Sequence, residues 1–159
     1  MKRAVLLTMQ LICSIVLFAN SFEYNGIRYE ISANNPDECI LLQNISQKGE
    51  VVIPTVVINA GKEYIVTSIA DYAFFGKEFR TVTLPDSVTE IGVGVFQDCK
   101  NLTTINCIYS TDDGRAVVID NTLVAFAPAS ALALDPFYSI EVDVNAIADY
   151  AFYNCSDLS

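Results

Sequence analysis

The sequence contains no histidine. It therefore lacks the commonest general base and the commonest metal ligand. A Ser-His-Asp or Cys-His catalytic arrangement is excluded on the same ground. Its 7 glycines never cluster, so there is no Gly-rich loop to cradle a phosphate. The 5 cysteines include no Cys-x-x-Cys pair, and zinc-ligand spacing is absent. Positive charge is scarce: 9 Lys and Arg stand against 19 Asp and Glu, a net charge of -10. That balance argues against nucleic acid as a partner, because phosphates need clustered cations. It argues equally against an anionic membrane surface. What the chain does have is apolar sequence: 52% hydrophobic and 18% charged residues, too greasy for a disordered acidic tail.

The first residues stand apart from the rest. Lys2 and Arg3 precede an apolar run from Ala4 to Ala19, interrupted only by Thr8, Gln10 and Ser14. Ala19-Asn20-Ser21 then offers small residues for a peptidase. This is the order of a secretory signal peptide, over residues 1–21, with a mature chain starting near Phe22. A membrane anchor is the alternative. The run is short for a span of about 20 residues, and no basic stop-transfer cluster follows. Once the signal is cleaved, no membrane insertion is expected. Cys13 sits in mid-run without the small residues of a lipidation site and is expected to leave with the signal.

The rest of the chain is organised by an internal repeat. Residues 69–74 read Ile-Ala-Asp-Tyr-Ala-Phe, and residues 147–152 read the same. Ile91-Gly92-Val93-Gly94-Val95-Phe96 fits between them, at a period of about 22 residues from the first copy. Val66, Val88 and Val144 precede the repeated Ile by a fixed spacing. Cys99 and Cys155 follow the repeated Phe, and Phe79, Leu102 and Leu158 come next. Short alternating runs at Arg80–Leu84 and Thr103–Cys107 have strand character. In these, Val82, Leu84, Ile105 and Cys107 point one way, and Thr81, Thr83, Thr104 and Asn106 the other. One such unit cannot bury its apolar residues alone, whereas stacked units form a continuous core. Phe74, Phe96 and Phe152 are expected to form one internal ladder, and Ile69, Ile91 and Ile147 another. Ile69 to Gly76 is too short for a full helix and is expected to form a single helical or 3-10 turn. Cys99 and Cys155 fall at equivalent inward positions and are expected to be unpaired, buried thiols.

These residues resemble the BspA-like leucine-rich-repeat family. Its repeat runs valine, two free positions, isoleucine, a turn ending in Ala-Phe, a Cys, a Leu, and a strand ending Ile-Pro. Val66 to Pro85 is similar over most of it, with Lys77 in place of the Cys. Val88 to Cys107 is similar apart from its strand ending, and Val144 to Leu158 is similar until the chain stops. Val51-Val52-Ile53-Pro54 looks like the strand half of an earlier repeat. The resemblance implies a mainly β leucine-rich-repeat solenoid at the cell surface. It also implies an adhesive role, since some members are adhesins for matrix proteins or other cells.

Two stretches interrupt the period. Phe22 to Ile31 alternates around Asn25-Gly26, a strong hairpin signal, and Cys39 to Leu42 offers a third strand. Residues 22–50 are read as an N-terminal β cap, and residues 51–159 as the solenoid. A second hairpin is expected at Val56 to Val66, turning at Asn59 to Lys62. An insertion at about 108–136 contains an acidic turn at Ser110 to Gly114 and a hairpin, Ala116 to Ile119 with Thr122 to Phe126. The repeat is expected to resume at Tyr138-Ser139-Ile140. The last repeat stops before its strand, which leaves an open apolar end for end-to-end self-association, or implies a longer natural chain.

Chemistry-bearing constellations are few. Asp112-Asp113-Gly114 is too short for a calcium loop of EF-hand type and reads as a turn. Three sequons begin at Asn44, Asn101 and Asn154. No catalytic, cofactor-binding or metal-binding residue emerges. The leading function is non-enzymatic binding of an extracellular protein or glycan through the outward strand positions Thr81, Thr83, Thr104, Asn106, Ser139 and Glu141. A structural spacer without a ligand is the alternative reading. A secreted hydrolase using paired carboxylates is a remoter one.

Overall fold

Tight hairpins begin the fold, and their turn residues explain them. The computed structural model describes residues 20–44, 46, 48–127, 129, 139–153 and 155. The expected signal segment and the terminal Leu158 lie outside those residues. Strand β1 (Ser21–Tyr24) pairs antiparallel with β2 (Ile27–Ile31). Asn25 (φ 48°) and Gly26 (φ 74°) are both left-handed, as a two-residue turn matched to strand twist requires. Strand β3 (Glu38–Asn44) adds antiparallel to β2. Strand β4 (Gly49–Val52) leaves this sheet and starts another. Strands β5 (Val56–Asn59) and β6 (Lys62–Ile69) form the second expected hairpin, with Ala60 and Gly61 at the turn.

Strand β6 joins the N-terminal strands to the repeats. It pairs antiparallel with β5, parallel with β3, and parallel with the short β8 (Glu90–Ile91). Phe22 stacks on Tyr29 at 5.7 Å and leans on Tyr64 at 5.5 Å, so aromatic rings fill this end of the core. The second sheet is all parallel and has the order β4-β7-β9, with β7 spanning Phe79–Thr83 and β9 spanning Thr104–Asn106. The third is the inserted hairpin, β10 (Ala116–Ile119) and β11 (Thr122–Phe126), with β12 (Ala146–Ile147) parallel to β11. No helix of the described residues is long and apolar enough to cross a membrane.

The expected helical or 3-10 turn appears only as separate i→i+3 bonds, Ala73 to Ala70 O, Phe75 to Tyr72 O and Lys77 to Phe74 O, and no continuous helix forms. Residues 71–76 are successive turns. Tyr72 is left-handed (φ 57°), and a right-handed helix cannot pass through such a residue. Alternate amides instead reach the next coil: Tyr72 donates to Val93 O, Phe74 to Val95 O and Gly76 to Gln97 O, each at 3.0 Å. Every second backbone donor is thus satisfied between coils rather than within one. The left-handed position recurs at Gly94 (φ 60°) and Tyr150 (φ 64°). A bulky side chain holds that conformation at a cost of about 1 kcal/mol or more.

Gly92 is required by close approach. A Cβ there would come within 2.5 Å of the Asp71 amide nitrogen and of Asp71 Oδ1. The bare backbone lets Asp71 Oδ1 accept from the Val93 amide at 2.7 Å. Cys99 locks the same pair of coils, its Sγ donating to Phe74 O at 2.9 Å.

The ladders are shorter than expected. Phe74 and Phe96 stack at 5.5 Å and 14°, and Phe79 meets Phe74 edge-on at 5.5 Å. Phe152 is not part of this column. It is half-buried and packs on Phe126 at 5.3 Å. Ile69 is 2% exposed, Ile91 half-buried and Ile147 62% exposed, so these three do not form a common internal ladder. The inserted hairpin is the physical reason. Val117, Ala125 and Ala127 pack into the main core, whereas Ala116, Leu123 and Phe126 belong to a second cluster with Ala151 and Cys155. The hairpin thus stands between the second and third copies. The third copy docks on β11, where Ala148 donates to Leu123 O at 2.8 Å and Phe126 to Ala151 O at 2.9 Å.

Candidate functional site

The parallel sheet β4-β7-β9 builds the candidate face by simple alternation. Val51, Val82 and Ile105 share one register row and are buried. The rows on either side point outward: Glu50, Thr81 and Thr104 in one, Val52, Thr83 and Asn106 in the other. Thr81, Thr83 and Thr104 are half-buried, Asn106 is exposed, and Val52 is 63% exposed. Asn106 Nδ2 donates to Thr83 Oγ1 at 3.4 Å, a long cross-strand bond that fixes neither group tightly. Glu50 and Val52 extend the rows beyond the residues chosen from sequence. The signal for them was present, since Val51 to Pro54 already read as a repeat strand.

The far edge of this sheet is closed. The Ile105 amide donates to Gly114 O at 2.7 Å, so the acidic turn, not another repeat strand, lies beside β9. A Cβ at Gly114 would meet Thr104 Cγ2 at 2.7 Å. Asp113 is committed to the turn itself. Its Oδ1 accepts from Thr111 Oγ1 at 2.7 Å and from the Arg115 amide at 3.1 Å, and its Oδ2 faces Arg115 Nε at 3.5 Å.

Ser139 and Glu141 are placed elsewhere. Both are exposed, neither lies in a strand, and neither joins the rows of β7 and β9. They line a cavity of about 410 Å³ with Ser110, Thr111, Asp112, Asp113 and Val142. The reading of these two as outward strand positions is therefore corrected. With Gly114 on the β9 edge, a later segment cannot add to that sheet. Tyr138, where the repeat was expected to resume, lies outside the described residues.

The thiols are protected rather than reactive. Cys39, Cys99 and Cys155 are buried and free. Burial pushes Cys39 up to about 12, and Cys99 and Cys155 up to about 11. Such thiols stay protonated near neutrality and are poor nucleophiles and ligands. Among the described residues no group of three or more His, Cys, Asp or Glu side chains is placed to hold a metal ion.

Parallel strands stacked coil on coil, with a Phe ladder and an inward Cys, are the arrangement of a leucine-rich-repeat solenoid. The family model described as "BspA type Leucine rich repeat region (6 copies)" matches residues 56–116. Residues 56–116 thus carry BspA-type leucine-rich repeats. Solved structures agree on the fold. A leucine rich cell surface protein from Faecalibacterium prausnitzii A2-165 is 22% identical, with a TM-score of 0.59 over 87% of this chain and 35% of its own. A leucine-rich repeat protein from Bacteroides ovatus ATCC 8483 is 24% identical, with a TM-score of 0.58 over 84% of this chain and 33% of its own. One from Bacteroides capillosus ATCC 29799 is 22% identical, with a TM-score of 0.53 over 82% of this chain and 98% of its own. The chain thus spans about a third of the first two proteins. No curated protein sequence matches it.

Proposed function

We propose that this protein is a secreted or cell-surface, non-enzymatic binding module that engages an extracellular protein or glycan through the β4-β7-β9 face. The observation that carries the reading is the pair of outward rows, Glu50-Thr81-Thr104 and Val52-Thr83-Asn106, on a sheet whose inward row is fully committed to the core. Rows of hydroxyl, amide and methyl groups on a rigid scaffold offer donors, acceptors and apolar contact at fixed spacing. BspA-type repeats are generally non-enzymatic, and we read this chain the same way. Surface location is supported by the basic-apolar-small order of residues 1–21 and by the description of the Faecalibacterium relative.

The test is binding of the purified mature protein to immobilised matrix proteins and a glycan array, with the double variant Thr83→Glu/Asn106→Lys alongside. The expected result is a ligand bound by the natural protein and lost by the variant at unchanged thermal midpoint. Equal binding by both proteins would move the site off this face.

A further inference from the structure

The turn flank of the coils carries a feature that the strand face does not explain. Phe75, Tyr72, Tyr150 and Tyr153 are 50%, 43%, 47% and 42% exposed, yet they touch in a continuous run. Tyr72 meets Phe75 at 6.5 Å and 79°, and Tyr150 at 6.0 Å and 64°. Tyr150 meets Tyr153 at 6.0 Å and 62°. Each contact is edge-to-face, so the run is a series of corners with ring faces open to solvent. A contiguous exposed apolar patch of this kind is characteristic of an interaction site.

The middle repeat is shaped to permit the run. Tyr72, Gly94 and Tyr150 occupy the same repeat position in three successive copies, all left-handed. Glycine holds that conformation without strain, yet two copies carry tyrosine. A Cβ on Gly94 would lie 2.6 Å from Tyr72 Cε1, so the Tyr72 ring lies across the bare backbone of the middle copy. It thereby reaches Tyr150, which is distant in sequence.

Two carboxylates flank the tyrosines of the run. Asp71 and Asp149 immediately precede the two tyrosines, and both are exposed. Asp71 is pinned by its bond from the Val93 amide at 2.7 Å. The Tyr72 phenol is raised, first by desolvation against its neighbours, then by a hydrogen bond with Tyr150, and also by the charges of Tyr150, Asp71 and Asp149. Ring faces carry negative electrostatic potential and attract cations. The chain contains an example of the same chemistry: Lys62 Nζ sits 4.9 Å from the Tyr64 ring centroid and 2.8 Å from Asp37 Oδ1. Among the described residues no lysine or arginine is seated over the four rings of the run.

We propose that the Phe75-Tyr72-Tyr150-Tyr153 run is a docking surface for a Lys- or Arg-bearing segment of a partner protein, with its cations held against the tyrosine faces and countered by Asp71 and Asp149. The net charge of -10 favours such a partner over an acidic one. This surface is separate from the strand face, and neither depends on the other.

The test uses the mature protein and a fluorescein-labelled Arg-Gly-Arg-Gly-Arg peptide, read by anisotropy at about 0.15 M salt, where exposed charges beyond about 8 Å are screened. Tyr150→Asn keeps a residue tolerant of the left-handed turn and removes the ring. It is expected to weaken binding about tenfold, while Tyr150→Phe, which keeps the ring, stays within about twofold. Asp149→Asn is expected to weaken binding severalfold, and Glu63→Gln, the same charge change elsewhere, to leave it unchanged. Thr83→Glu/Asn106→Lys should bind the peptide normally, which separates this surface from the strand face. Three results would overturn the proposal: no measurable binding of the peptide to the natural protein, equal losses from Glu63→Gln and Asp149→Asn, or Tyr150→Phe losing as much as Tyr150→Asn. Maltohexaose binding in place of the peptide, with the same ring dependence, would make the run a glycan platform and overturn it as well.

Discussion

The first and third copies of the repeat share six consecutive residues and end in different environments. In the first, Ile69, Ala73 and Phe74 are 2%, 1% and 0% exposed. In the third, Ile147 is 62% exposed, Ala151 4%, and Phe152 half-buried. Their local geometry is nearly the same, with φ of 57° at Tyr72 and 64° at Tyr150. Identical sequence therefore fixes the turn and not the burial. Burial comes from the neighbouring coil, as expected where each repeat contacts only the next. The first copy has strand β3 on one side and the second copy on the other. The third has the inserted hairpin.

The sharpest way to break the comparison is to truncate the repeated phenylalanine in both places. Phe74→Ala should cost about 3–5 kcal/mol, and Phe96→Ala the same, by loss of packed aromatic volume. Phe152→Ala should cost only about 1–2 kcal/mol, because its ring is half-buried and rests on Phe126 in the smaller cluster. Chemical denaturation of the variants measures both. Equal losses would mean that the two copies are packed alike.

The repeated isoleucine gives a smaller contrast of the same kind. Ile69→Ala should cost about 2–5 kcal/mol, and Ile147→Ala less than about 0.5 kcal/mol.

The buried thiols give a pH-dependent contrast. Cys99 and Cys155 titrate near 11 in the folded protein, against an ordinary value of 9.0, both through burial. The unfolded thiol releases its proton first as pH rises. Between about pH 9 and 11 the folded state binds more protons, so stability must fall through that window and be fully present below it. For each such thiol the fall is at most about 1.4 kcal/mol per pH unit. Thermal midpoints recorded from pH 8 to pH 11 should decline, and Cys99→Ala should flatten the decline. Thiol labelling under native conditions should reach Cys155 before Cys99, since Cys155 closes the smaller cluster.

The smallest effect is expected on the strand face. Thr83→Glu/Asn106→Lys should change stability by less than about 0.5 kcal/mol, because both residues point away from the core.

Much of the fold was legible because its signals are local. Asn25-Gly26 and Asp120-Asn121 are turn dipeptides, and each sits at the hairpin it announced, with both residues left-handed. The repeat period located Phe74, Phe96 and Cys99 correctly in the core. What failed to show was non-local. Nothing in Ser139 or Glu141 reveals that Gly114 occupies the β9 edge, and nothing in Ile147 reveals that its neighbour is β11 rather than another repeat. The turn misleads for a different reason. Its pattern of Ile, Ala and Phe suits a helical turn, and only the inter-coil bonds of Tyr72, Phe74 and Gly76 favour an extended ladder of turns. The aromatic run was hidden too, because its members come from copies separated by the insertion.

Native-state amide hydrogen exchange tests the central claim most directly, that the insertion divides the repeats into a large and a small stack. The amides of Phe74 and Gly76, which bond to Val95 and Gln97, should exchange only through global unfolding. Those of Phe126 and Ala148, which join β11 to the third copy, should exchange faster, through opening of the smaller stack. Equal protection of the two sets would contradict the claim and show one continuous, cooperative core.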